Sequence, residues 1–296
     1  MSNIDVSSLA EAPIVGITAT VYPNLEDVRF EVSLQLAESW RDIGLPLIVV
    51  DGSPTGEDGV ELAKDAYRQR GAIVLATEVP GIASQRQQGV RFAHGAGAKK
   101  FLTHEPEKPA VPAIAGKVAG LLETADIIVV GRTEKAKQTM PPVQLRTEQL
   151  AGIILERTLQ LPPDALAGPR GYSRLGIEHL LRYPSQLPVM NNWIYMYDNL
   201  LEARNVGQRV AGMEADLLYP ARMVAQETGN GLFDAKRYHQ FKIQLEYLLK
   251  RPEVDPIATV MASFVLNELS KLGSDFTNAQ FEATLTCIEN FIVQNS

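Results

Sequence analysis

Between Ile14 and Gly131 the chain alternates short β-branched runs with longer stretches of helical spacing, and few folds accept that rhythm. Ile14–Val21, Pro46–Asp51, Ala72–Thr77, Lys100–His104 and Asp126–Gly131 read as strands. Glu26–Ile43, Asp58–Arg70, Ile82–His94 and Val111–Glu123 have helical spacing and read as the helices between them. Strands joined through helices run parallel, so the pattern predicts a Rossmann-like α/β domain with a mostly parallel sheet. Several strands are apolar on both faces, as expected when helices cover both sides. In such sheets ligands lie beyond the carboxyl ends of the strands, which directs attention to Thr18–Thr20, Asp51–Ser53, Gly81–Arg86 and His104–Lys108.

Beyond Arg132 a polar segment leads to Pro142, followed by a helix through Thr158 and the turn-rich stretch Leu161–Gly171. Gln240–Leu249, Ile257–Leu272 and Asn278–Val293 then read as helices with apolar faces. The expected organisation is a main domain over residues 1–232 and a helical C-terminal extension over residues 233–296. The extension is expected to pack on that domain or on another subunit, as in a homo-oligomer.

Composition excludes several classes. A chain of 296 residues, 45% hydrophobic, can bury a real core. Its net charge of −7 gives no general attraction to nucleic-acid phosphates or anionic lipid, so no nucleic-acid partner is expected. The longest apolar runs fall far short of the roughly 20 residues a membrane helix needs, and the N-terminus has no signal-peptide profile. A cytoplasmic protein without an integral membrane segment is the expectation. With Cys287 as the lone cysteine no intrachain disulfide can form, and its side chain is expected to be buried.

The most informative segment runs from Lys100 to Lys108, where a strand leads into Glu105 and Glu107. At strand spacing, residues i and i+2 face the same side. Magnesium commonly takes one or two carboxylates together with substrate phosphates, so this pair could hold a metal on a diphosphate. The same residues also suit a solvated, charged turn with Lys108.

Taken in order, the motifs of this chain resemble family 2 glycosyltransferases of the GT-A fold, in particular the dolichyl-phosphate mannosyltransferase-like branch. Ile48–Ser53 resembles that family's second strand with its nucleotide-binding aspartate, and Gly81–Gly89 its helix with glycine, arginine and glycine. Phe101–Glu107 falls where the family carries its Asp-X-Asp metal motif, with Pro112 five residues on. Asp126–Arg132 is similar to the next strand with its terminal Gly-Arg, and Asp164–Gly168 followed by Tyr172–Arg174 to the Asp-X-X-X-Gly segment. Trp193–Gly207 followed by Arg209-Val210 resembles the acceptor-side helix and the strand after it. Glu-Pro-Glu in place of Asp-X-Asp lengthens both carboxylate arms and stiffens the turn between them.

The resemblance implies a nucleotide-sugar-binding domain and a set of roles. Asp51 and Ser53, with Thr18 and Thr20, would line the nucleotide pocket, while Arg86 and Arg132 would neutralise the diphosphate. Glu105 and Glu107 would bind Mg²⁺ or Mn²⁺. Trp193, Tyr195 and Tyr197 would meet the acceptor, and Asp198 or Glu202, which share a helix face, would deprotonate its hydroxyl. The implied activity is transfer of a sugar from a nucleoside diphosphate sugar to a hydroxyl acceptor. A sugar-phosphate nucleotidyltransferase is a rival, but Ile17–Pro23 lacks the glycine-rich, basic phosphate loop such an enzyme needs. A noncatalytic nucleotide-sugar-binding or scaffold protein is the other.

Overall fold

The computed structural model describes residues 6–53, 56–159, 162, 164–182, 194–251, 254–272 and 276–295. Among these, seven strands form one sheet: β1 (Val15–Thr20), β2 (Leu47–Asp51), β3 (Ile73–Ala76), β4 (Lys100–His104), β5 (Ile127–Arg132), β6 (Arg170–Ser173) and β7 (Val210–Ala215). Their spatial order is β3-β2-β1-β4-β6-β5-β7. Every pairing is parallel except those of β6, which runs antiparallel between β4 and β5.

The helices are α1 (Ser8–Glu11), α2 (Val28–Asp42), α3 (Gly56–Gln69), α4 (Ile82–Gly95), α5 (Ala115–Leu121), α6 (Glu134–Lys137), α7 (Pro142–Leu159), α8 (Ile177–Arg182), α9 (Tyr195–Asn205), α10 (Ala221–Glu227), α11 (Gly231–Leu248), α12 (Pro256–Ser270) and α13 (Asn278–Asn295). Capping residues fix several starts. The Asp27 side chain accepts from the Arg29 amide, Asn230 from Leu232, and Asp255 from Ile257 with Pro256 beside it. No helix among the described residues is long and apolar enough to cross a membrane.

Largely apolar runs make β1, β2 and β5 interior strands: every residue of the three is buried. Helix α4 crosses β1 and β2 so closely that a Cβ on Gly89 would lie 2.7 Å from Ile17 Cγ2 and 3.1 Å from Val50 Cγ2. That glycine serves helix-on-sheet packing, and its neighbours on α4 are thereby held at the strand ends.

Strand β6 was not expected from the sequence. Arg170-Gly-Tyr-Ser173 is short and contains glycine, so its local propensity is weak; pairing with two buried neighbours makes it a strand. In the C-terminal region, Phe241, Leu245, Val265, Phe281 and Ile288 belong to one apolar cluster with Leu150 and Ile154 of α7 and with Ile48 and Phe101 of the sheet. Helices α11 to α13 therefore share the core of the α/β layers. Arg146 of α7 clamps α13, donating to Glu289 at 2.7 and 2.9 Å, to Thr286 at 2.9 Å and to Glu282. Cys287 corrects an expectation, for it is exposed: Leu285 and Ile288 take the inner face of α13.

Candidate functional site

Strands β2, β1 and β4 end side by side, with Thr20 paired to Asp51 and Thr18 to His104 in register. Their ends build two polar centres. At the first, Asp51 is 6% exposed, and its Oδ1 accepts from Thr20 Oγ1 (2.9 Å), the Ser53 amide (3.1 Å) and Ser53 Oγ (2.6 Å). Its Oδ2 is buried and has no hydrogen-bond partner among the described residues. Gln85, at the start of α4, donates to the carbonyls of Thr20 and Val50 and fixes that helix beside them. Thr18 turns its hydroxyl to the neighbouring strand β4 and donates to the His104 carbonyl at 3.2 Å.

The second centre follows β4. His104 is fully buried, and its ring stacks on Trp40 at 5.7 Å. Trp40 Nε1 donates to His104 Nε2 at 3.2 Å, so Nδ1 carries the proton and donates to the Glu105 carbonyl at 3.0 Å. Burial pushes the imidazole pKa down to about 4, consistent with a neutral ring. His104 is thus a core residue that orients the following turn.

The strand ends at His104 and Pro106-Glu107 form a turn, so strand alternation does not govern the two glutamates. Glu105 points inward, where Oε1 meets Arg86 Nη2 at 3.1 Å. Burial pushes the Glu105 carboxyl up, but the Arg86 charge, with Lys108 behind it, outweighs burial and holds it below the usual range. Its Oε2 is buried without a hydrogen-bond partner among the described residues. Gly168 makes room for this carboxylate: a Cβ there would fall 1.2 Å from Glu105 Oε1. Glu107 is half-buried, and burial first, then the Glu105 charge, raise it above the usual carboxylate range.

The two arginines are deeply committed. Arg86 is 1% exposed and donates to the Tyr195 hydroxyl at 2.8 Å as well as pairing with Glu105. Tyr195 is itself buried, which pushes its pKa up to about 12. Arg132 ends β5 and donates through its amide, Nε and Nη2 to the Asp164 carboxylate at 2.6–2.8 Å, and through Nη2 to Glu148 at 2.6 Å. Asp164 sits at φ 56°, the left-handed region that an L-residue enters at a cost, and the Arg132 fork holds it there.

Glu105, Glu107 and Arg132 border one cavity of about 100 Å³. Its other walls come from Lys108, from Glu148 of α7, from Tyr219 and Glu227, and from Lys236, Arg237 and Phe241 of α11. Helix α11 of the C-terminal region therefore forms part of the enclosure. Glu227 accepts from Tyr219 Oη at 3.1 Å on both oxygens, and Arg237 lies 3.7 Å from it. Burial lowers the pKa of Lys108, with Glu105 pulling the other way. Of these, Lys108 had been read only as part of a charged turn, and the α7, α10 and α11 residues not at all; they carry no shared motif.

Thr18, Thr20, Asp51, Ser53, Arg86 and Tyr195 lie outside the lining of this cavity. So do Asp198 and Glu202, which both bind Arg251, at 3.4 and 2.8 Å, with Tyr247 also donating to Asp198. These contacts tie α9 to the end of α11. Trp193 and the side chain of Tyr197 lie outside the described residues.

The donor chemistry suits a hard divalent cation in part. Glu105 Oε2 is an unpartnered buried oxygen, and Glu107 beside it is a carboxylate whose charge its neighbour disfavours; a cation would relieve both. Among the described residues no group of three or more acidic, histidine or cysteine side chains could enclose a metal, so substrate oxygens would have to complete its coordination.

No protein-family model matches the chain, and no curated protein matches it. Solved structures do. A mannosyltransferase from Pyrobaculum calidifontis in complex with GDP-Man and Mn²⁺ is 12% identical, with 94% of this chain and 75% of that one covered at a TM-score of 0.52. M. tuberculosis glucosyl-3-phosphoglycerate synthase is 14% identical over 82% of this chain and 84% of its own, at 0.50. A further mycobacterial protein is 14% identical over 81% and 76%, at 0.52. At such identities the likeness is one of fold: mixed α/β with a mostly parallel sheet, the GT-A fold that those structures share.

Proposed function

We propose that the protein is a glycosyltransferase that moves a sugar from a nucleoside diphosphate sugar to a hydroxyl acceptor, with Mg²⁺ or Mn²⁺ assistance. The observation that carries this reading is the pair of buried, unpartnered carboxylate oxygens, Asp51 Oδ2 and Glu105 Oε2, at the ends of two strands separated by β1 alone. At a strand spacing of about 4.8 Å the two chain segments lie roughly 10 Å apart, a span suited to a nucleoside and its diphosphate. The fold of the Pyrobaculum mannosyltransferase, solved with GDP-Man and Mn²⁺, supports it further.

In this reading Asp51, held by Thr20 and Ser53, accepts from the base or ribose, and Glu105 and Glu107 hold the cation. Bound there, the cation stabilises the charge that develops on the leaving diphosphate. Arg86 acts through Glu105, keeping it ionised and in place, and Arg132 fixes the Asp164–Gly168 loop against that carboxylate. Where the displacement needs a base at the acceptor hydroxyl, Glu227 lines the cavity, whereas Asp198 and Glu202 lie outside it. The motif order leans towards the dolichyl-phosphate mannosyltransferase-like branch.

One observation favours a second reading, a noncatalytic nucleotide-sugar-binding protein: both arginines that could meet a diphosphate are already paired with carboxylates. Titration calorimetry with UDP-, GDP-, ADP- and CDP-sugars, in Mn²⁺ and then in EDTA, separates the cases when combined with an assay for release of the nucleoside diphosphate. We expect one donor to bind at least tenfold more tightly with Mn²⁺ and to be turned over. Binding without turnover would favour the second reading, and binding of no donor would overturn both.

A further inference from the structure

The cations that line the cavity are of two kinds. Arg29 is held by Asp27 at 2.7 Å, Arg132 by Asp164 and Glu148 at 2.6 Å, and Arg237 by Gln144 at 2.6 Å and Glu227 at 3.7 Å. The ammonium groups of Lys108 and Lys236 have no ion pair or hydrogen bond among the described residues. Each ammonium instead lies over an aromatic ring, Lys108 5.1 Å from the centroid of Tyr219 and Lys236 5.9 Å from that of Phe233.

Lys108 is the more telling, because it is only 6% exposed. A buried ammonium without an oxygen partner is costly, and a ring face offsets a small part of that cost. The nearby acids Glu105, Glu148 and Glu107 attract its charge but none forms an ion pair with it among the described residues. Glu105 is taken by Arg86, Glu148 by Arg132, and Glu227 by Tyr219 and Arg237, which leaves Glu107 as the uncommitted carboxylate of the wall. Lys108 comes from the turn after β4 and Lys236 from α11, so the two belong to parts of the chain more than a hundred residues apart.

We propose that Lys108 and Lys236 bind a phosphoryl group in this cavity, so that the C-terminal helix α11 completes an oxyanion site begun by the α/β layers. The cavity, at about 100 Å³, has room for such a group. Two ammonium groups supply compact, rotatable donors to its oxygens, as lysine does in phosphate recognition generally. The proposal rests on the glycosyltransferase reading only for the source of the group, either the diphosphate of a donor or a phosphorylated acceptor.

Inorganic phosphate titrated into the full chain in EDTA, followed by calorimetry or phosphorus NMR, tests the site without nucleotide, metal or turnover. We expect saturable binding, weakened at least tenfold in Lys108→Met, largely restored in Lys108→Arg, and weakened severalfold in Lys236→Met. Phosphate should also slow amide exchange along α11 in the parent and not in Lys108→Met. A parent that does not bind phosphate, or a folded Lys108→Met that binds it equally well, overturns the site. Unchanged exchange in α11 overturns the role given to the C-terminal helix. A competition arm names the source: mutual displacement by a bound nucleotide sugar points to the donor diphosphate, and simultaneous binding to a phosphorylated acceptor. Loss of nucleotide-sugar binding with phosphate binding intact would sink the glycosyltransferase reading alone.

Discussion

Asp51 and Glu105 follow parallel strands, are almost equally buried, and each keeps one oxygen without a partner among the described residues. Their surroundings differ. Asp51 is satisfied within a few residues and one strand, by the hydroxyls of Thr20 and Ser53 and a backbone amide. Glu105 depends on the guanidinium of Arg86, which comes from α4, and on space left by Gly168. A carboxylate held by neutral, local donors can lose one of them and keep the rest. A carboxylate held by a buried charge from another element fails with that charge, so the second centre couples its chemistry to the integrity of the fold.

The largest expected effect breaks that coupling. Arg86→Met leaves Glu105 buried and uncompensated and should destabilise the protein by about 3–5 kcal/mol in urea titration. Adding Glu105→Gln should recover a substantial part of the loss. A single variant as stable as the parent would show that the pair contributes nothing to the fold.

Gly168→Ala tests the space that Glu105 occupies. The added methyl cannot coexist with the carboxylate, and displacement or strain should cost about 1–3 kcal/mol. Metal-dependent nucleotide binding should fall with it. Retained stability together with unchanged binding would mean that Glu105 has another position open to it.

The local centre should respond more weakly. Thr20→Val removes one of three donors to Asp51 Oδ1 and should cost about 1–2 kcal/mol. A loss as large as that of Arg86→Met would erase the distinction between the two centres. Smallest of all, Glu107→Gln should leave stability unchanged or raise it slightly, by about 0.5 kcal/mol, because burial and the Glu105 charge disfavour its ionised form. Its signature should be weaker nucleotide binding in Mn²⁺, with binding in EDTA unchanged. A change of equal size in EDTA would place Glu107 outside any metal site.

The alternation of β-branched runs with helical spacing was sufficient to give β1 to β5 and the helices between them; β1, β2 and β5 are buried along their whole length, while β3 at the sheet edge is half-buried to exposed. It was insufficient for β6, where Arg-Gly-Tyr-Ser becomes a strand through its neighbours. Asp51, Glu105 and Glu107 could be singled out from the sequence because positions at the carboxyl ends of strands follow from the strand pattern, and the motif resemblance marked the same residues. The commitments of those side chains could not be read there. The Arg86 guanidinium is buried against Glu105 and Tyr195, and Asp198 and Glu202 both meet Arg251.

Periodicity is a local property, repeated every two or three to four residues, and the sequence by itself determined what depends on it: the layers, the strand directions and the end of the sheet where polar residues gather. Which charges neutralise one another depends on distances between elements that are remote in the chain. Only the tertiary structure decided that Arg86 locks Glu105, that Arg132 reaches Asp164 and Glu148, and that a helix from the C-terminal region brings Lys236 to the cavity where Lys108 has no ion-pair partner among the described residues. Long-range electrostatic pairing leaves no spacing in sequence, because the chain between two partners can be of any length that lets them meet.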